Sequence, residues 1–146
     1  KLVLHLESIG SAAGINAMGA MVKEGGGGGS GNGATGVAGV VVEGGLSSCV
    51  EIAQKLFSFL PLGLLMKDKW DGTCAAAASL DPDMPFMSMH GDYDEIVPLW
   101  CGKKLFDSVK GKKRWKEFRR GGHNNLMEKA GYFEALDEFY TNDVGA

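Results

Sequence analysis

Cysteine is scarce in this chain, and its spacing fits neither a disulfide framework nor a metal site. Cys49, Cys74 and Cys101 form no Cys-x-x-Cys pair, and their number is odd. We therefore expect neither a disulfide scaffold nor zinc, and free thiols in a reducing, intracellular compartment are the default interpretation. No other residue pattern predicts a metal or a cofactor.

Long hydrophobic runs and a strong excess of one charge are also missing. No stretch reaches the ~18–20 apolar residues that cross a bilayer, and the longest candidate, 56–66, is interrupted by Pro61. A formal net charge of −3 argues against a nucleic-acid partner. With 146 residues, 45% of them hydrophobic, the chain can form one domain with a core and is not disordered.

The sequence does contain an alternation of strand-like and helix-like segments. Runs typical of buried strands cover residues 2–6, 37–42 and 85–89, and a more polar run at 114–118 is the candidate for a fourth strand. Helical spacing of apolar residues follows each of them, at 9–22, 46–59, 99–109 and 126–140. This alternation predicts an α/β fold with about four parallel strands and flanking helices.

Two of the helices have expected buried faces. The stripe Cys101, Leu105 and Val109 has the i, i+4, i+8 spacing of one helix face. The last helix is expected to begin at a cap formed by Asn124 or Asn125. Its expected apolar contacts are Leu126, Phe133, Leu136 and Tyr140.

Three turns after predicted strands carry residues with catalytic chemistry. In a parallel sheet such turns lie together at the carboxyl ends of the strands. Ser8 follows the first strand, Asp92 and Asp94 follow the third, and His123 follows the fourth. Taken singly, each has an ordinary alternative: a helix N-cap, a solvated acidic loop and a surface histidine.

Together the three turns predict a nucleophile, a carboxylate and a base. A serine hydroxyl is a weak nucleophile and needs a base, which in turn needs an orienting carboxylate. The chain order Ser, Asp, His is that of the α/β-hydrolase triad. The backbone N–H of Ile9 would then stabilise an oxyanion at the start of the first helix. Spacing does not decide whether Asp92 or Asp94 is the carboxylate. Around Ser8, Leu6 stands where the G-x-S-x-G pattern has its first glycine.

The chain resembles the C-terminal half of α/β-hydrolase domain-containing serine hydrolases, especially the Bem46-like group near the serine aminopeptidase-like hydrolases. The segment 4–13 resembles the nucleophile turn of that group. The other matching segments are 39–43, 60–61, 69–70, 85–91, 94–98 and 122–125.

This resemblance implies a partial α/β-hydrolase fold in which residues 1–146 are the C-terminal portion of one domain. It also implies Ser8 as nucleophile, Asp94 as the orienting acid in preference to Asp92, and His123 as general base. The expected reaction is cleavage of an ester, thioester or amide through an acyl-enzyme.

The same resemblance leaves an alternative open. The earlier strands of the family, and the loop that supplies a second oxyanion N–H, have no counterpart in the sequence. The alternative is therefore a truncated or non-catalytic hydrolase-like module. Residues 46–80 are expected to form the cap or substrate pocket, and their apolar content points to a small-molecule, acyl or lipid-like substrate.

Two further segments have competing interpretations. Residues 31–36 match G-x-G-x-x-G, a pattern that indicates dinucleotide binding when a helix follows it. Here a strand follows instead, so we interpret 25–36 as a flexible glycine-rich insertion. Residues 103–120 hold nine of the fifteen basic residues. Such a cluster permits contact with a membrane surface or an acidic partner, and its ordinary interpretation is a solvated face.

Overall fold

Four parallel strands form one sheet whose spatial order follows the sequence. The computed structural model describes residues 1–24, 36–56, 59 and 73–145. Each strand pairs in parallel with the next along the chain. The strands are β1 (Leu2–Glu7), β2 (Val37–Glu43), β3 (Phe86–Gly91) and β4 (Lys113–Phe118). This confirms the predicted parallel sheet of about four strands.

Helices cover both faces of the sheet. They are α1 (Ile9–Glu24), α2 (Cys49–Leu56), α3 (Thr73–Ala77), α4 (Leu99–Ser108) and α5 (Tyr132–Glu138). A 3₁₀ turn, Leu126–Glu128, precedes α5, and a π-helical segment, Phe139–Val144, continues it. The helices predicted at 9–22 and 99–109 are thus present with slightly different ends, and the one predicted at 46–59 is described over Cys49–Leu56.

The alternation of side chains along β2 divides the core into two layers. Val40 and Val42 pack with Ile15 and Leu105 under α1, α3 and α4. Val41 faces the opposite side, where it joins the cluster around Phe139. Because both faces of β2 are covered, its residues 37–42 carry no polar side chain, as expected of a central parallel strand. The predicted stripe of Cys101, Leu105 and Val109 is buried, which confirms that helix face.

The last predicted helix is broken, and one of its expected contacts is wrong. Gly131 adopts a left-handed conformation with φ +84°, so the helix restarts at Tyr132 with a new phase. Phe133 consequently points outward and is 66% exposed, while Tyr132 and Phe139 fill the core. Asn125 does not cap a helix through its side chain, because its Oδ1 accepts a hydrogen bond from the Gly122 N–H at 2.8 Å.

Two predicted segments lie wholly or partly outside the described residues. These are the glycine-rich insertion, of which only Gly36 is described, and the pocket segment 46–80, of which 57–58 and 60–72 are not. Gly36 has φ +66° directly before β2. The domain division proposed from the sequence therefore stays a prediction.

Candidate active site

Ser8 lies on a sharp turn between β1 and α1. Its φ of +50° lies in the left-handed region, which a residue with a Cβ adopts only at a free-energy cost. Two backbone hydrogen bonds hold the turn: the Ser8 N–H donates to Glu43 O at 2.9 Å, and the Ser11 N–H donates to Ser8 O at 2.9 Å. A strained strand-to-helix turn of this kind raises a serine hydroxyl above the sheet.

The buried hydroxyl of Ser11 connects this turn to the segment after β2. Its Oγ donates to Ser8 O at 2.6 Å and accepts from the Leu46 N–H at 3.0 Å. Ser11 is fully buried, and its contact with the Leu46 N–H is shielded from water. Sequence reasoning missed this role, because its partner Leu46 is 35 residues away in the chain.

Leu6, which replaces the first glycine of the usual pattern, is accommodated by a glycine on α1. A Cβ added at Gly14 would lie 2.7 Å from Leu6 Cδ2, so the leucine side chain occupies the space that a larger residue would need. The close approach of strand and helix is thus preserved with the glycine on the other partner.

His123 lies in the turn after β4 and contacts both predicted partners. Its Nε2 is 2.9 Å from Ser8 Oγ, and its Nδ1 is 2.7 Å from Asp94 Oδ2. A carboxylate only accepts hydrogen bonds, so Nδ1 carries the proton and Nε2 is free to accept the Ser8 hydroxyl proton. The structure therefore brings Ser8, His123 and Asp94 into one hydrogen-bonded chain.

Asp94, and not Asp92, makes this contact with His123. The Asp94 side chain is 1% exposed, and its Oδ1 accepts the N–H groups of Ile96 at 3.0 Å and Val97 at 2.7 Å. Oδ2 is thereby left for His123. Asp92, the alternative that spacing left open, is exposed.

Two glycines allow the turns around the site to pack closely. A Cβ on Gly91 would lie 2.1 Å from Gly121 O, so the turns after β3 and β4 touch through their backbones. Gly44, with φ +53°, lies beneath the His123 ring, and a Cβ there would be 3.2 Å from its Cε1.

A second polar cluster adjoins the site on the α5 face. The Glu43 carboxylate accepts hydrogen bonds from the Tyr132 hydroxyl and from His5. Burial raises the pKa of Glu43, but the bonds from His5 and Tyr132 and the charge interaction with His5 outweigh it, so the pKa lies below its ordinary value. Burial and the bond to Glu43 raise the pKa of Tyr132. This cluster connects β1, β2 and α5.

Several cations of the basic stretch pair with acidic side chains nearby. Lys103 lies 3.7 Å from Glu117, and Lys104 contacts Glu51. Arg114 pairs with Glu138 and Asp143. The net positive charge available to a partner is therefore smaller than the sequence count indicates.

In the part of the chain that the structure describes, no group of three or more His, Cys, Asp or Glu side chains is arranged to hold a metal ion. Within the same residues, no helix has the length and apolar character that a membrane span requires. All three cysteines lie in that part and form no disulfide, and Cys49 and Cys101 are buried.

Comparison with known proteins places the fold. No family model matches the chain. It is 28% identical, over 103 residues, to an uncharacterized membrane protein of Saccharomyces cerevisiae, and the match covers 69% of this chain and 36% of the yeast protein.

Solved structures resemble the chain along nearly its whole length. The esterase domain of a Rhodothermus marinus protein has a TM-score of 0.67 at 17% identity, covering 98% of this chain and 61% of that one. Acyl-protein thioesterase 2 of Zea mays has a TM-score of 0.58 at 18% identity, covering 99% and 57%. The chain thus spans less than two thirds of these proteins, and it has part of the α/β-hydrolase fold.

Proposed function

We propose that this chain carries the nucleophile, base and acid of a serine hydrolase that cleaves an ester, thioester or amide. The observation that carries the proposal is the chain from Ser8 Oγ through His123 to Asp94, with contacts of 2.9 and 2.7 Å. The esterase and thioesterase folds that the chain resembles support an acyl substrate. The same proposal includes the assignment of this chain to the C-terminal portion of a Bem46-like hydrolase.

The proposed reaction proceeds in two steps. Ser8 Oγ attacks the carbonyl carbon while its proton passes to His123 Nε2, and Asp94 stabilises the imidazolium that forms. The tetrahedral intermediate collapses when His123 gives that proton to the leaving group. Water then repeats the sequence on the acyl-enzyme, which releases the acid and restores Ser8. The Ile9 N–H is the proposed donor to the oxyanion.

The alternative function is a hydrolase-like module without catalysis. Its support is the share of its structural relatives that the chain spans, 61% and 57%. Loss of one oxyanion donor typically lowers the rate ~10²–10³-fold, so a site with only the Ile9 donor would be slow. The alternative predicts a folded chain that hydrolyses no activated ester.

Contact of residues 103–120 with a membrane surface is a separate proposal, which is compatible with either function.

Hydrolysis of p-nitrophenyl butyrate tests the proposal. We expect Ser8→Ala to lower kcat/KM by ~10³-fold or more, because the covalent route is lost. Ser108→Ala is the matched control, since its hydroxyl lies at the end of α4 and donates to Leu105 O, at 2.6 Å. Equal rates in Ser8→Ala and the unmodified chain would refute the nucleophile. A folded chain without any hydrolysis would favour the non-catalytic module.

A further inference from the structure

His90 is a fully buried histidine next to the site that the proposed reaction does not use. It lies near the end of β3 with 0% exposure, and its Nε2 is 2.8 Å from the carbonyl oxygen of Val97. The same Nε2 is 3.6 Å from Asp94 Oδ2. The Asp94 carboxylate thus lies between two imidazoles, those of His90 and His123.

The contacts of His90 define its protonation. Burial lowers the pKa of His90, against the bond to Val97 and the charge of Asp94, so the ring is neutral at ordinary pH. Val97 O can only accept a hydrogen bond, which places the single proton on Nε2. Nδ1 is buried and has no hydrogen-bond partner among the described residues, in agreement with that tautomer.

The surrounding elements are shaped to hold this ring. Gly102 faces it from α4, and a Cβ there would lie 2.2 Å from His90 Nδ1. Glycine is a poor helix former, so its place inside α4 has a packing reason. On the β4 side the ring stacks with Trp115 at a centroid distance of 5.9 Å and an interplanar angle of 17°. The ring therefore has little freedom to move.

The bond to Val97 closes the turn that presents Asp94. Within this turn the backbone N–H groups of Ile96 and Val97 donate to Asp94 Oδ1. From outside the turn, the imidazole Nε2–H of His90 donates to the carbonyl oxygen of Val97. The turn is thus fixed from inside by Asp94 and from the sheet by His90.

We propose that His90 is a positioning residue that, through its bond to Val97 O, fixes the Asp94 turn and so orients His123 toward Ser8. The inference rests on the proposed hydrolase function for its effect on rate. Its structural part, the hold on the Asp94–His123 hydrogen bond, can be measured without catalysis. That separation lets the two claims fail independently.

A pair of nearly isosteric variants tests the bond. His90→Gln places an amide N–H near the position of Nε2, whereas His90→Met has a similar shape and no donor. The first readout is the low-field proton resonance of His123 Nδ1–H, which reports its bond to Asp94. The second is the rate at which a fluorophosphonate probe labels the chain.

We expect His90→Met to lose the low-field resonance and to label about tenfold to a hundredfold more slowly, the cost of misplaced catalytic geometry. His90→Gln should keep the resonance and most of the rate. Rescue by glutamine separates positioning from simple packing, since both variants change the packing alike.

Each remaining outcome decides the claim. A folded His90→Met with an unchanged resonance would overturn it, and so would loss of the resonance in His90→Gln. If His90→Met does not fold, the His90→Gln result alone decides. If the unmodified chain shows the resonance but takes no label, the hydrolase function fails while the resonance still tests His90.

Discussion

At the scale of single residues, the turn at Ser8 stores backbone strain that its neighbours hold in place. A left-handed conformation at a residue with a Cβ costs on the order of 1–3 kcal/mol. Ser11 and the Glu43 carbonyl provide hydrogen bonds that oppose relaxation. Strain of this kind is typical of sites where a side chain must point in one direction.

The hydroxyl of Ser11 offers a direct test of this support. In Ser11→Ala, the buried Leu46 N–H would lose its acceptor, so we expect a decrease of about 1–3 kcal/mol in the free energy of unfolding. Fluorophosphonate labelling of Ser8 should also slow. Urea unfolding and labelling kinetics measure the two effects, with Ser108→Ala as the control. A Ser11→Ala chain as stable and as reactive as the parent would show that the turn holds without this hydroxyl.

Single residues also show where sequence reasoning stopped. Ser8 and His123 could be located because glycines and strand ends mark their turns. Asp94 could not be separated from Asp92 by spacing, since only the folded turn buries one and exposes the other. The contacts of Ser11 with Leu46 and of His90 with Val97 could not be predicted from the sequence. They join different segments of the chain, and hydrophobic periodicity describes each segment by itself.

At the scale of elements, strand prediction succeeded because burial dictates composition. β2 is covered on both faces, so its β-branched run marks it clearly. The fourth strand, β4, was also located although it is more polar. Its charged residues are tolerated because it is an outer strand of the described sheet. The last helix was mispredicted because Gly131 resets its phase, which puts Tyr132 inside and Phe133 outside.

The attachment of α5 to the sheet gives an element-scale prediction. Tyr132→Phe removes a hydrogen bond to the carboxylate of Glu43, so we expect the free energy of unfolding to fall by about 1–2 kcal/mol at pH 7. Because the pKa of Glu43 in the fold lies below its ordinary 4.5, this contribution is present above pH 4.5 and is lost as the pH falls through the folded-state value.

Urea unfolding from pH 7 down to pH 3 measures this difference. The parent chain and Tyr132→Phe should converge in stability at the acid end. Tyr93→Phe is the control, since Tyr93 is 66% exposed and its loss should change little. A stability difference that stays constant over this pH range would show that Glu43 is not the partner that matters.

At the scale of the whole molecule, the parallel sheet explains how the three distant residues meet. Ser8, Asp94 and His123 follow β1, β3 and β4, whose carboxyl ends lie along one edge of the sheet. The meeting of Ser8 and His123, 115 residues apart, therefore follows from topology. The strand–helix alternation was enough to predict this arrangement.

Substrate choice belongs to the same scale and could not be derived from the sequence. The shape of an acyl pocket depends on how separate segments pack against each other, and composition gives only their apolar character. The apolar content of 46–80 therefore predicts a substrate class and no particular molecule. The spacing of residues along a chain predicts chemistry better than it predicts the shape of a cavity.

Mass spectrometry of the intact chain after reaction with a fluorophosphonate probe tests the central claim most directly. The account predicts one covalent adduct, mapped by peptide analysis to Ser8, absent in Ser8→Ala and formed far more slowly in His123→Ala. Ser108→Ala should label like the parent. An adduct on another residue, or a folded chain that takes none, would contradict the assignment of Ser8 as the nucleophile.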